Sequence, residues 1–493
     1  MKKILLTLIL AGLGLTSCKD FLEQLPESNR TSAKFYQTRA DFYNALVGAY
    51  NGLKRRGVYG NGSGALMVLQ EMVSDNTTFT ATRQPVNSST FEVDDLLFAK
   101  SNTLVQDAWT DLYIGIGRIK PILQRLPGAS FAQADKDRFE GEARFLRALY
   151  YFHLVRLFGD VPLVTEPIED PYGANNLPRA PREEVYALII DDLTRAAALL
   201  PAAIPAAEDG RASQWAAKTL LGKVYLTRGQ YDQALPVLED VNDNSGRQLM
   251  ANFAQVFAPT TTFAANTEVI FAVQYKSGLL PQGAAAAGTQ GGVEQTQGSD
   301  MWSNWAPAGS GSLLGPNGGG GGGFNTPTPD LINAFEPGDA RKEATLLTSF
   351  LSGSTVIPSA YAVKFRQQGA VNNDSDVDFP VLRFADVVLM YAEALNETGQ
   401  PDAALTQLNR TRTRAKLPAL AGLDQAALRL AIEQERRVEL AFENHRWPDL
   451  VRTGRYEAVM SAKGYAVKPF HNLYPVPQRE TDLNADLSQN TGY

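Results

Sequence analysis

The chain has 493 residues, a formal charge of −7, 41 glycines, three histidines and one cysteine. That length can bury a large core or two modest ones. A mildly acidic balance without any basic cluster argues against nucleic acid as a partner, and a lone cysteine excludes internal disulfides.

Lys2 and Lys3 form a basic start, and Ile4 to Leu15 is an apolar run of signal-peptide length, too short to span a bilayer. Leu15-Thr16-Ser17-Cys18 resembles the lipobox of bacterial lipoproteins, and Cys18 is the only cysteine. Residues 1–17 therefore read as a lipoprotein signal peptide and 18–34 as a polar tether lipidated at Cys18. The plainer alternative is an ordinary cleaved signal with an incidental cysteine. Acyl chains on one residue anchor at about 0.8 kcal/mol per buried CH₂. No other run is long enough for a transmembrane helix.

Residues 35–493 read as one α-rich domain. Phe42, Ala45, Leu46, Ala49 and Tyr50 fall at helical spacing. A loop follows from Arg55 to Gly64, carrying Tyr59, then a second helix over Leu66 to Val73 with Asp75 and Asn76 just past its end. Trp109, Tyr113, Ile116 and Ile119 continue a helix that Pro121 is expected to kink, with Trp109 read as core rather than ligand contact. In the stretch from Ala143 to Pro162, Phe145, Leu149, Phe152 and Arg156 share a face, and Gly159 fits a C-cap.

Leu221, Gly222, Tyr225, Gly229, Tyr231 and Ala234 have the spacing of a tetratricopeptide repeat, and Ala392, Gly399 and Ala404 repeat its register. Two copies so far apart predict helical hairpins gathered into one bundle. Val269–Tyr275 and Tyr361–Phe365 alternate like strands. Residues 277–329 are rich in Gly, Ala, Gln and Pro, include Gly318 to Gly323, and predict a variable loop without regular structure. The fold class expected is mostly α: a tetratricopeptide-like helical-hairpin bundle with long irregular loops and a few short β-strands.

The stretch from Ala431 to Arg455 organises the rest. Leu428, Ala431, Val438 and Phe442 form one helical stripe, and Glu435 falls on it with Glu439 one turn beyond. Carboxylates there are expected to be buried and paired, with Arg436, Arg437, Arg446 and Arg452 as partners. Asn444 follows the helix end, where a left-handed residue is needed. Glu435 and Glu439 one turn apart also fit a hydrolytic carboxylate pair. Nearby guanidinium groups would lower both pKa values and leave no proton donor, which favours a structural ion network.

This stretch resembles the C-terminal signature of the SusD/RagB family, E-R-x-x-E-L-x-F-E-G-x-R-W-x-D-L-x-R-x-G, with Asn444 in place of a glycine and Pro448 where an aromatic is common. Arg144 to Pro162 resembles a second family segment, Leu408 to Pro418 a third in which Lys416 replaces a glycine, and Leu473 to Tyr493 the family ending, apart from Thr481, Ala485 and Thr491. The resemblance implies an outer-membrane lipoprotein that binds a nutrient, facing the cell exterior, beside a SusC-like TonB-dependent transporter. It also implies that the helical-repeat side meets the transporter while the irregular half holds the ligand.

No residue spacing points to chemistry. His153, His445 and His471 are scattered and lack metal-ligand spacing, so neither metal nor cofactor is expected. Catalytic motifs and a phosphate loop are also lacking, and no enzyme is expected. A glycan or oligosaccharide is the first expectation for the ligand; a peptide, or a helical-repeat scaffold for other proteins, are the alternatives. Candidate contacts are Trp302, Trp305, Tyr59, Asp75, Asn76 and Phe324, with Asn304 and Gln297 as polar neighbours of the two tryptophans. Those tryptophans either pack down on the bundle or await a ligand.

Overall fold

The computed structural model describes residues 35–60, 64–80, 83–165, 177–205, 208–278, 299–314, 321–367 and 374–493. The signal, tether and lipidation expected over residues 1–34, Cys18 included, lie outside them, as do Gln297 and Gly318 to Gly320.

Helix α1 (Arg39–Asn51) opens on a capping box. Asp41 N–H donates to the Thr38 hydroxyl at 3.2 Å and Thr38 N–H donates back to the Asp41 carboxylate at 2.9 Å. Helix α2 (Thr103–Arg125) starts at the Asn102 side chain and carries Pro121 inside its last turn and a half. Helix α3 (Gln133–Phe158) lies along α2. Their approach is set by Gly115, where an added Cβ would fall inside the Tyr150 ring. Gly159 ends α3 at a φ of 72°, as its C-cap position requires.

The bundle continues through α4 (Arg182–Leu199), α5 (Gln214–Thr227) and α6 (Tyr231–Asn244), each packed on the helix before it. A short α7 (Met301–Trp305) lies in the irregular half. Helices α8 (Phe384–Glu397), α9 (Pro401–Arg414), α10 (Gln425–Glu439) and α11 (Arg446–Arg452) follow. The two repeat copies are the hairpins α5–α6 and α8–α9, and α6 packs directly on α8. At Gly222 a Cβ would come within 2.6 Å of the Leu238 side chain, so only the smallest residue lets α5 and α6 close.

Strands are few. Among the described residues β1 (Thr77–Thr78) pairs with β3 (Thr326–Pro327), β2 (Val269–Val273) with β6 (Phe379–Arg383), and β4 (Leu346–Ser352) with β5 (Thr355–Ala362), all antiparallel. Strands β2 and β6 are buried along their whole length. One hydrophobic cluster runs from Phe42 to Leu487, and a smaller one joins Trp302, Ala306, Leu314, Phe350 and Tyr361.

Three expectations need correction. The strand expected at Tyr361–Phe365 runs instead over Thr355–Ala362, where Pro358 and Ser359 interrupt the apolar alternation. The helix expected over Leu66–Val73 is one α turn, Ala65–Met67, followed by a π turn, Val68–Met72, closed by Val73 N–H on Val68 O at 3.1 Å. The segment 277–329 contains α7 and β3, so it is not without regular structure.

Lys416 and Asn444, which stand where the resembled pattern has glycine, have φ values of 61° and 63°. A left-handed lysine is strained by its Cβ, by about 1–2 kcal/mol. Lys416→Gly should therefore raise stability by about 0.5–1 kcal/mol once the added freedom of the unfolded chain is subtracted. Chemical denaturation of both forms checks this, and a lower midpoint for the variant would contradict it.

Candidate functional site

Helix α10 ends in a dense ion network. Glu439 is fully buried and accepts from Arg341 at 2.9 Å, from Arg383 at 2.7 Å and from Arg414. Glu435 accepts from Arg341 at 2.6 Å. Arg383 also holds Glu268 at 2.7 Å and Glu443 at 2.6 Å, and Lys364 donates to Glu443 at 2.7 Å. Arg383 and Lys364 further donate to the Glu439 carbonyl at 2.7 and 3.0 Å, satisfying an acceptor that the helix end leaves open.

These partners come from other elements, not from the arginines expected. Arg436 pairs with Asp386 (2.8 Å) and Asp449 (2.9 Å), and Arg437 with Asp330 (2.6 Å) and Asp75 (2.9 Å). Arg446 pairs with Asp75 (2.7 Å) and Glu433 (3.3 Å), and Arg452 with Glu393 and Asp449. Adjacent helix residues do not face one another, so Arg436 and Arg437 look away from Glu435. Burial raises the Glu439 pKa, but Arg414, Arg383 and Arg341 outweigh it and hold the carboxyl well below its usual range. At Glu435 burial outweighs Arg341 and the pKa rises, contrary to the lowering expected for both.

Glu71, in the π turn, went unnoticed in the sequence. Its buried carboxylate accepts from Phe442 N–H at 3.0 Å, Asn444 N–H at 3.1 Å and the Asn76 amide at 3.2 Å. Phe442 and Asn444 both have positive φ, so one carboxylate pins a strained turn. Burial pushes its pKa up to about 7 against those hydrogen bonds. The available signal was a lone carboxylate inside the apolar run from Leu66 to Val73.

The six residues expected at a ligand do not form one cluster. Trp302 and Trp305 are each 2% exposed. Trp302 packs near Tyr361 at 6.3 Å between centroids, with Arg366 over its ring and its indole N–H unpartnered among the described residues. Trp305 enters the main core against Phe365 at 5.3 Å and Phe442 at 6.2 Å. Asp75 and Asn76 are buried beneath Arg437 and Arg446. The Tyr59 hydroxyl lies 2.7 Å from His153 Nε2.

Phe324 differs: it is half-buried, packed on Phe79 at 4.7 Å, at the edge of the irregular half. Its N–H donates to Asn304 O at 3.0 Å, and Thr80 N–H donates to Gly323 O at 3.1 Å. Around it lie exposed Thr80 and partly exposed Asn304, which is bonded to Asp300 at 2.8 Å. A half-exposed ring rimmed by donors and acceptors suits a ligand with an apolar face and peripheral hydroxyls. A second feature is a groove of about 610 Å³ between α2 and the C-terminal segment, lined by Trp109, Tyr113, Gly117, Pro162, Leu483 and Leu487.

A profile described as the SusD family matches residues 358–493, one described as starch-binding associating with outer membrane matches 20–226, and a tetratricopeptide repeat profile matches 215–240. SusD-like protein P25 of Formosa agariphila is 30% identical over 525 aligned positions, covering 97% of both chains. The chain belongs to the SusD family. Its SusD-family relatives include the starch-binding protein SusD of Bacteroides thetaiotaomicron, 22% identical over 97% of this chain and 96% of that one. A laminarin binding SusD-like protein superposes at a TM-score of 0.79 with 29% identity, over 93% of this chain and 100% of that one. The first profile covers Lys364, Arg383, Arg414 and Glu439 of the network but not Arg341 or Glu268, the second runs from α1 into α5, and the third covers most of the α5–α6 hairpin.

Two stability measurements test the network. Glu439→Gln leaves three buried guanidiniums short of a charge and should cost about 3–5 kcal/mol in denaturant unfolding; a loss below 1 kcal/mol would contradict the assignment. Glu71 has a folded pKa above the unfolded 4.5, so its stabilising share is full below pH 4.5 and lost as pH rises through about 7. That amounts to about 3 kcal/mol, at 1.36 kcal/mol per pKa unit. Glu71→Gln should flatten the fall in stability between pH 5 and 8, and parallel pH profiles would contradict it.

Proposed function

We propose that this SusD-family protein captures a glycan at the cell surface on the face around Phe324 and hands it to a SusC-like TonB-dependent transporter. It would hang from the outer membrane by lipid on Cys18, facing the exterior, with 1–17 removed as signal and 18–34 as tether. No described helix is long and apolar enough to cross a membrane, in keeping with anchoring by lipid. Residues 35–493 act as one unit: the hairpin bundle faces the transporter and the irregular half faces the ligand.

The observation that carries the glycan reading is Phe324, partly exposed beside Thr80 and Asn304. C–H faces of a sugar pack on such a ring while its hydroxyls reach the rim. Relatives named for starch and laminarin binding support the same ligand class. Binding there needs no covalent step, and Glu439, ionised among three guanidiniums, offers no proton. The volume of the groove beside Tyr113 favours it as a second location for the same ligand.

Titration with laminarin- and starch-derived oligosaccharides separates the two. Phe324→Ala/Asn304→Ala should weaken binding by tenfold or more, about 1.4 kcal/mol or above, among the molecules that remain folded. Gly117→Trp, where nothing lies within 4 Å of an added Cβ, fills the groove and should leave affinity intact. The reverse pattern would move the site to the groove. Turnover of the oligosaccharide would contradict a binding protein.

A further inference from the structure

Between α3, α5 and the turn after α10 lies a cavity of about 30 Å³, away from the Phe324 face. Its polar lining includes Tyr59, His153, Arg156, Lys223, Asn444 and His445. Hydrogen bonds fix where the protons are. Arg156 and Gln70 both donate to His153 Nδ1, at 3.0 and 3.3 Å, so that nitrogen accepts and Nε2 carries the hydrogen. Nε2 then donates to the Tyr59 oxygen at 2.7 Å, and the Tyr59 O–H is left without an acceptor among the described residues.

Lys223 donates to Asp386 at 3.0 Å and His445 Nδ1 at 3.3 Å, which leaves a third N–H. The Arg156 guanidinium donates to Phe152 O and His153 and lies 4.1 Å from the Phe152 ring, but meets no carboxylate among the described residues. Glu443 lines the cavity too, yet Lys364 and Arg383 already engage its two oxygens. Asn444, 8% exposed, has a side-chain oxygen with no partner among the described residues. Turning its amide over presents the NH₂ to the cavity instead.

Charge counting agrees. The ion-pair chain leading away from Lys223 runs through Asp386, Arg436, Asp449, Arg452 and Glu393, three cations against three carboxylates. It is neutral, and Arg156 stands outside it with no ion pair among the described residues. Desolvation pulls the pKa of both Arg156 and Lys223 down, against the nearby carboxylates, Asp386 for Lys223 and Asp449 and Asp386 for Arg156, which raise it. Burial also keeps both histidines neutral, first by desolvation and then by the neighbouring cations. Arg156, Lys223 and the Tyr59 hydroxyl thus line the cavity with hydrogens that no described acceptor takes, and one water accepts only two of them.

We propose that this cavity binds a small monovalent anion, of chloride size, held by Arg156, Lys223, the Tyr59 hydroxyl and the Asn444 amide. About 30 Å³ exceeds what one water needs and has room for a halide. The ion neutralises the junction between the Tyr59 loop, α3 and the signature turn.

The test uses the purified full chain. Crystals soaked in sodium bromide should give an anomalous peak between Arg156 and Lys223. The thermal midpoint should be higher by roughly 1–2 °C in sodium chloride than in sodium gluconate of equal ionic strength, by mass action on the folded state. Arg156→Gln should lose both the peak and the chloride shift. A cavity holding only water in bromide-soaked wild-type crystals would overturn the proposal without reliance on any variant. So would an equal chloride shift in Arg156→Gln.

Discussion

A carboxylate with no access to water, Glu439, is the joint on which the irregular half hangs from the bundle. It stands at the C-terminal end of α10, where the helix dipole already disfavours negative charge. Three guanidiniums reverse that balance, and each arrives from a different element: Arg341 from the segment before β4, Arg383 from the end of β6, and Arg414 from the end of α9. None of these elements can shift without stripping a buried charge of its partner, which costs several kcal/mol. Arg383 and Lys364 also take carbonyls at the helix end, so the same cations close both electrostatic and hydrogen-bond accounts.

On one side of the joint the hairpins stack through small residues, with Gly222, Ala234, Ala392 and Ala404 at the contacts. On the other side the chain folds with little secondary structure and is held by side chains. Trp302 and Trp305 anchor α7 into two different clusters, and Phe324 closes the segment against Phe79. Rigidity supplied from below sets the outer edge near Thr80, Asn304 and Phe324, the proposed recognition surface, on a scaffold, as is common for binding loops.

The helical half was legible because its signals are local. Helical apolar stripes, the Gly159 cap and the repeat spacing at Gly222 and Gly399 each depend on neighbours within a turn or two. Burial of Glu435 and Glu439 was legible too, from their place on the apolar stripe. Their partners were not: Arg341 and Arg383 lie far away in sequence, and nothing local marks them. Glu71 was missed for the same reason, since the amides it pins, Phe442 and Asn444, come from the far end of the chain. Aromatic residues in the Gly-rich segment looked alike in sequence, yet Trp302 and Trp305 are enclosed while Phe324 stays half-open. That difference arises from tertiary packing, which composition does not encode.

Hydrogen exchange with and without a laminarin- or starch-derived oligosaccharide tests the account most directly, because it locates the ligand without any substitution. The account predicts added protection in segments 77–95 and 300–326, with exchange over 109–124 unchanged. Protection confined to 109–124 and 477–487, around the groove, would contradict it.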